Sequence, residues 1–355
     1  MKILLIQPHA MRVDLGGGRS PTNRSGTIYK ILINELHKVT IGTTIVNKDM
    51  YMVRNNVKLI NESTKYNYDL IVMLSGTMGY CFPPRESFDD RKRCIHALLN
   101  TDCPVVFIQD EYITQYCGYP ADISRLSRIK DCFKEHDTHK GRDIKILMQS
   151  KYPKSLANKV TDNMNKYNKL NYQFINWGVQ MFAFHKMPLM QARENTTLCV
   201  SYVGVMRPNR SRLELINNKR TSIFGRWKYP MSKVRQFGKA RVLDVPDILN
   251  DSCATIWTHD DDFINMSVES ARLYEAPRCG CPLLIDKIMW KNIEDCYLYE
   301  SDCFYSSKME LWEKIAKLYK DKKYRINFIE QQQELYINSF RLRDEISKFL
   351  LLLSI

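Results

Sequence analysis

Apolar positions along the chain fall into short continuous runs, and segments of helical period separate them. Lys2–Gln7 (KILLIQ) alternates too little for a half-exposed strand. An unbroken apolar run of that length suits a central strand of a parallel sheet. Runs of the same kind occupy residues 39–47, 69–74, 104–109, 144–149 and 172–177, with helical patterns at 27–37 and 88–100. Strands alternating with helices imply a parallel sheet covered on both faces. The pattern lapses over residues 182–197 (FAFHKMPLMQARENTT), which read as a linker. A second alternating series follows. It has strands at 198–205, Thr221–Phe224, 253–258 and 282–285, and a loop entering a helix at 207–217. Its remaining helices are a short one over Val245–Asn250, with Pro246 at a permitted early position, and one at 311–319. A long last helix, 326–353, closes the chain.

At 355 residues the chain exceeds what one core ordinarily supports, so two domains are expected. The reading is α/β, with two Rossmann-like domains facing a central cleft and a long C-terminal helix. The boundaries are 1–185 and 186–335, with 336–355 packing back on the first domain. No run reaches the roughly 18 apolar residues of a membrane span. The opening MKILLIQPH has no following cleavage site of small residues, so it reads as a strand and not a signal peptide. The eleven cysteines include no pair of CxxC units. Cys279 and Cys281 flank a glycine at a helix-to-strand turn, too isolated for zinc, so reduced thiols in a cytoplasm are expected.

Charge narrows the partners. The net charge of +14 favours polyanions, with nucleic acid first and an anionic membrane surface second. Residues 125–159 carry ten Lys and Arg against four acids, either a solvated basic face or a DNA-facing surface. Residues 207–241 carry eleven Lys and Arg and one acid, Glu214.

The stretch 261–286 (DDFINMSVESARLYEAPRCGCPLLID) carries the clearest candidate chemistry. It reads as a loop, a helix, a glycine turn and a buried strand. Arg272 and Glu275 lie three residues apart on one helix face. They form either an ordinary surface ion pair or a nucleotide-sugar site, where the arginine clasps a diphosphate and the carboxylate accepts the ribose hydroxyls. In open parallel sheets, ligands bind beyond the carboxyl ends of strands. That rule makes Asp110, after the strand 104–109, a better catalytic candidate than Asp89 and Asp90. It also places Arg207 near the inter-domain cleft. Strand, glycine-rich loop and helix near the N-terminus offer backbone N–H groups to an anion, with Gly17 and Gly18 as candidates. The run does not match GxGxxG, and a mobile loop is the alternative. Asp260, Asp261 and Asp262 form a D-x-D pattern that also suits the start of a helix. No metal ligand is assigned.

Together these motifs resemble the T-even phage DNA β-glucosyltransferase family, of the two-domain GT-B type. Its members transfer glucose from UDP-glucose to 5-hydroxymethylcytosine in duplex DNA. RLYE (272–275) followed by LLID (283–286) resembles that family's R-x-x-E helix and next strand, and FIN (263–265) fits its start. YVGVMR (202–207) resembles its phosphate-binding loop, and IFG (223–225) the next strand end. Val245-Pro246 falls where the family reads uracil through the backbone. FIQD (107–110) lies where it carries its catalytic aspartate, and TIYKIL (27–32) resembles its first helix.

The resemblance implies an inverting transferase of phage origin that evades restriction by modifying DNA. Asp110 would be the general base, Arg272 and Arg207 would hold the diphosphate, and Glu275 the ribose. Gly225 and Val245 would contact the donor, and Arg210 or Arg212 would be the second loop arginine. The implied donor is a UDP-sugar, UDP-glucose first, and a divalent metal is an open alternative that the sequence does not require. The implied partner is double-stranded DNA, with no membrane, and the implied protein is a cytoplasmic monomer. A base in a duplex must leave the stack to be reached, and the loop 76–84, with Met78, Tyr80 and Phe82, is a candidate to fill the gap. The family's acid before TIY is Gly26 here, and a serine of its phosphate loop is Val205. Donor sugar and acceptor base therefore stay open. The alternatives are a GT-B transferase acting on an already glycosylated base, on hydroxymethyluracil or on a non-DNA glycan, and a non-catalytic DNA-binding protein.

Overall fold

The computed structural model describes residues 1–7, 32, 37–43, 57–59, 67–74, 103–109, 144–148, 172–175, 189–204, 211–225, 231–238, 240, 244–258, 271–290 and 293–353. The chain divides into two compact units. One is Met1–Ala183 with Phe349–Ile355, and the other is Phe184–Lys348.

The first unit holds a seven-stranded, all-parallel sheet. Its strands are β1 (Lys2–Gln7), β2 (Lys38–Thr43), β3 (Val57–Leu59), β4 (Leu70–Leu74), β5 (Val105–Gln109), β6 (Ile144–Met148) and β7 (Tyr172–Ile175). Their order is β3-β2-β1-β4-β5-β6-β7. The continuous apolar runs lie where both faces are covered, and Ile3, Leu4, Leu5, Leu70, Ile71, Val72, Val105 and Val106 are all buried. Asp69 locks the entry to β4, accepting from the Lys2 N–H at 2.6 Å and donating its own N–H to the Lys2 carbonyl at 2.8 Å. Lys145 on β6 donates to the carbonyl of Leu352 at 3.0 Å, tying the end of the chain to this sheet.

The second unit holds six parallel strands: β8 (Leu198–Val203), β9 (Thr221–Phe224), β10 (Arg235–Gln236), β11 (Ser252–Trp257), β12 (Leu283–Asp286) and β13 (Phe304–Tyr305). Their order is β10-β9-β8-β11-β12-β13, the doubly wound arrangement in which direction reverses between β8 and β11. The described helices are α1 (Val245–Asn250), α2 (Ala271–Arg278), α3 (Lys308–Lys320), α4 (Lys322–Ser339) and α5 (Leu342–Leu353). The loop after β8 enters a 3-10 helix at Ser211–Ile216. The expected α/β class with two Rossmann-like sheets therefore holds. The expected helices at 27–37 and 88–100 lie largely or wholly outside the described residues, as do Gly17, Gly18 and the loop 76–84.

The pattern missed three short strands, β3, β10 and β13, of three, two and two residues. The single C-terminal helix needs correction, because it is two helices. Phe340 leaves helical geometry (φ −127°, ψ 71°) between α4 and α5. Its ring packs against Tyr274, Tyr297 and Tyr336, with centroids at 5.2, 5.0 and 5.3 Å. Aromatic packing of this kind adds to area burial and offsets the interrupted helical hydrogen bonds.

The turn after α2 sets the direction of β12. Gly280 has φ +66° and donates to the Pro277 carbonyl, and the Cys281 N–H reaches back to Ala276. This Schellman ending favours glycine at the left-handed position. A Cβ there would also lie 2.8 Å from the Met190 and Gln191 carbonyl oxygens. Leu283 on β12 lies before the first β12–β13 pair, Ile285 with Phe304. Buried Gln332 on α4 serves it instead, accepting from the Leu283 N–H and donating to its carbonyl, both at 2.9 Å.

Candidate functional site

Among the described residues that the sequence singled out in the second unit, Arg272, Glu275 and Gly225 lie at the carboxyl ends of its strands. Arg272, near the start of the described part of α2, points its guanidinium back over β8. Nη2 donates to the carbonyl of Val203, the last residue of β8, at 2.8 Å. Nη1 meets Oε2 of Glu275 at 2.5 Å. Both side chains are largely buried, at 16% and 14% exposure, so this is not an ordinary solvated i,i+3 pair. Val203 ends the strand beside the point where strand order reverses, where doubly wound sheets bind their ligands. The pair therefore brings a cation and a carboxylate, oriented by a main-chain anchor, to the ligand end of this sheet.

The neighbouring strand ends are fastened to each other. The Gly204 N–H donates to Phe224 at the end of β9 at 2.9 Å, and the Gly225 N–H donates to Gly238 at 2.6 Å. Phe224 stacks on exposed Phe237 with centroids 4.9 Å apart. Gly225 thus lies at the same carboxyl end of the sheet as Arg272. Val245 is buried and opens α1, whose N-cap residue Asp244 makes no side-chain cap.

Arg212 is placed differently. From the 3-10 helix its Nε and Nη2 both reach Oδ2 of Asp286 at 2.7 Å. Asp286 ends β12, is 1% exposed, and also accepts from the Ile288 N–H at 3.2 Å. The hydrogen bond to Asp286 pushes the Arg212 pKa up further, so the cation is fixed. The same buried carboxylate adds to burial in raising the Tyr305 hydroxyl well above its usual range. Asp286 was legible only as the last letter of LLID, since its partner lies 74 residues away.

This pair yields a stability prediction. Arg212→Met leaves a buried carboxylate without its counter-charge and is expected to cost about 3 kcal/mol. The double variant Arg212→Met/Asp286→Asn should lose less. Thermal unfolding of the three proteins checks the order. An Arg212→Met protein as stable as the parent but weakened in nucleotide binding would make Arg212 a ligand arginine instead.

Asp110, Arg207, Arg210 and Asp260–Asp262 lie outside the described residues. Asp110 is the residue after Gln109, the last of β5. Among the described residues no group of His, Cys, Asp or Glu could hold a metal ion. Cys199, Cys253, Cys279, Cys281 and Cys303 are free thiols. Burial pushes Cys199 up to about 11 and Cys303 up to about 12, which keeps both protonated at neutral pH. No helix among the described residues is long and apolar enough to cross a membrane.

Residues 207–350 match a family model described as glycosyl transferase-like. No curated protein sequence matches the chain. Among solved structures, the β-glucosyltransferase of T4 phage in complex with UDP-glucose superposes with a TM-score of 0.68 at 12% identity, covering 100% of both chains. The same T4 enzyme with UDP and Mn²⁺ gives 0.68 at 13% identity, again covering 100% of both. An α-glucosyltransferase in complex with UDP and a 13-mer DNA containing a HMU base gives 0.60 at 11% identity, covering 98% of this chain and 99% of that one. The fold is the GT-B fold of these transferases along the whole chain, in agreement with the resemblance carried by the motifs.

Proposed function

We propose that the protein is a DNA glycosyltransferase that moves a sugar from a UDP-sugar, UDP-glucose first, to the hydroxymethyl group of 5-hydroxymethylcytosine in duplex DNA. The observation that carries this reading is the Arg272–Glu275 pair anchored to Val203 at the ligand end of the second sheet. It is supported by the glycosyl transferase-like match over residues 207–350 and by structural relatives that carry UDP-glucose or UDP with DNA.

The donor diphosphate is assigned to Arg272 and Arg207, with Arg210 preferred over Arg212 as the second loop arginine because Arg212 is committed to Asp286. Glu275 takes the ribose hydroxyls, and the backbone at Gly225 and Val245 borders the nucleoside. Gly17 and Gly18 would bring the first unit's backbone to the donor. Asp110 removes the proton from the acceptor hydroxyl as its oxygen attacks the anomeric carbon. The bond from that carbon to the diphosphate oxygen breaks, and UDP leaves with the electron pair. Guanidinium groups stabilise the charge that develops on the diphosphate. Attack opposite the leaving group inverts the anomeric centre. The acceptor base reaches Asp110 only when turned out of the duplex. Asp260–Asp262 are not assigned to the donor.

The domain roles follow. Residues 1–185 would carry the acceptor side and residues 186–335 the donor side, in a monomer that works in the host cytoplasm. A second acceptor, a hydroxymethyluracil base, is favoured by the HMU-containing DNA in one relative's complex.

Calorimetry tests the donor assignment without any acceptor. UDP should bind the full chain at least about ten-fold more tightly than GDP, a difference of about 1.4 kcal/mol. Failure of UDP to bind would overturn the reading.

A further inference from the structure

A concavity lies in the second unit, at the opposite ends of the strands from Val203 and Arg272. It sits where β8, β9 and β10 begin, away from Val203, Gly225 and Arg272, and encloses about 1020 Å³. Five cations line it, Lys219, Arg220, Lys233, Arg235 and Lys308, and no Asp or Glu does. All five are exposed, and none of them pairs with a carboxylate among the described residues. Exposed Tyr319 borders the groove with the Arg220 guanidinium 5.6 Å above its ring. Lys308 is steered by a 3.2 Å bond from its ammonium to the Glu214 carbonyl.

The residues converge by topology and not by sequence. Residues 219 and 220 end the turn into β9, 233 precedes β10 and 235 opens it, and 308 and 319 lie near the two ends of α3. Five like charges so placed repel one another. A compact anion would be met by buried donors aimed at one point, whereas these side chains are exposed and spread. Lys308 and Tyr319 stand about 16 Å apart along the axis of α3. That length matches roughly five phosphate steps of one DNA strand.

We propose that this groove binds the phosphate backbone of duplex DNA at a site separate from the one where the base is modified. The inference rests on the duplex-DNA reading above. The groove adds a sequence-independent hold on the polymer, which keeps the protein on DNA between transfer events.

The test is the salt dependence of duplex binding, read by fluorescence anisotropy with the full chain and an unmodified duplex of about 30 base pairs, about 100 Å of helix axis at 3.4 Å per step. Two double variants remove equal charge: Lys233→Ala/Arg235→Ala in the groove, and Lys323→Ala/Arg343→Ala on exposed helical positions elsewhere. Each lost phosphate contact flattens the slope of log affinity against log salt by about 0.9, so the groove variant should lose about 1.8. The control should lose less than half of that. UDP affinity should be unchanged in both, which reports an intact fold. Equal slopes for the two variants, with a parent that binds duplex DNA steeply, would overturn the groove alone. A parent that does not bind duplex DNA would overturn both the groove and the DNA acceptor. Binding of a phosphate-free polyanion such as heparin with the same loss in the groove variant, but no loss on DNA, would also overturn it.

Discussion

Asp110→Asn is expected to lower kcat about 10³-fold while leaving UDP affinity unchanged, because a positioned general base contributes roughly 10² to 10⁴. β5 is a parallel strand, buried at Val105 and Val106, whose last residue is Gln109, and Asp110 follows it in the sequence. Carboxyl ends of such strands are where side chains meet ligands. Asparagine keeps the shape and loses the proton acceptor, so binding should survive and chemistry should not. Stopped-flow or quenched turnover with saturating donor and acceptor reads kcat, and calorimetry reads UDP. Near-parental turnover would remove Asp110 from the mechanism.

The second large effect is at the diphosphate. Arg272→Ala is expected to lower kcat/KM for the donor about 10³-fold, since a fixed donor facing developing charge accounts for that scale of loss. Arg272→Lys should recover only a small part. An ammonium cannot hold Glu275 and the Val203 carbonyl with two separate N–H groups of a planar fork, as the guanidinium does. Glu275→Gln separates the roles. It should weaken UDP through the ribose and lower kcat less than Arg272→Ala does. If Lys restored full activity, the geometry at Val203 would be irrelevant to the donor.

Legibility of the fold followed the length of each signal. The central strands were read almost to the residue, because unbroken apolar runs bounded by turns have few other interpretations. Strands β10 and β13, of two residues each, carry no periodicity and exist because a neighbouring strand offers pairing. The break at Phe340 has no glycine or proline to announce it. It depends on Tyr274 and Tyr297, which the fold brings in from far along the chain.

The candidate site divides the same way. Arg272 and Glu275 were visible as a helical pair, but the bond that gives them a place in the sheet joins residues 69 apart. Arg210 and Arg212 could not be separated by sequence. Asp286 supplies the distinguishing contact for Arg212, and only three-dimensional structure brings the two together. The groove at the amino ends of the strands was legible only as an excess of charge over residues 207–241. Its convergence with Lys308 and Tyr319 was not.

The most direct test of the central claim is nucleoside mass spectrometry of duplex DNA containing 5-hydroxymethylcytosine, incubated with the full chain and UDP-glucose. The account predicts a hexose mass added to the modified nucleoside and to no other, appearing about 10³-fold more slowly with Asp110→Asn. A protein that binds UDP but adds no mass to this base with any UDP-sugar would contradict the acceptor assigned here.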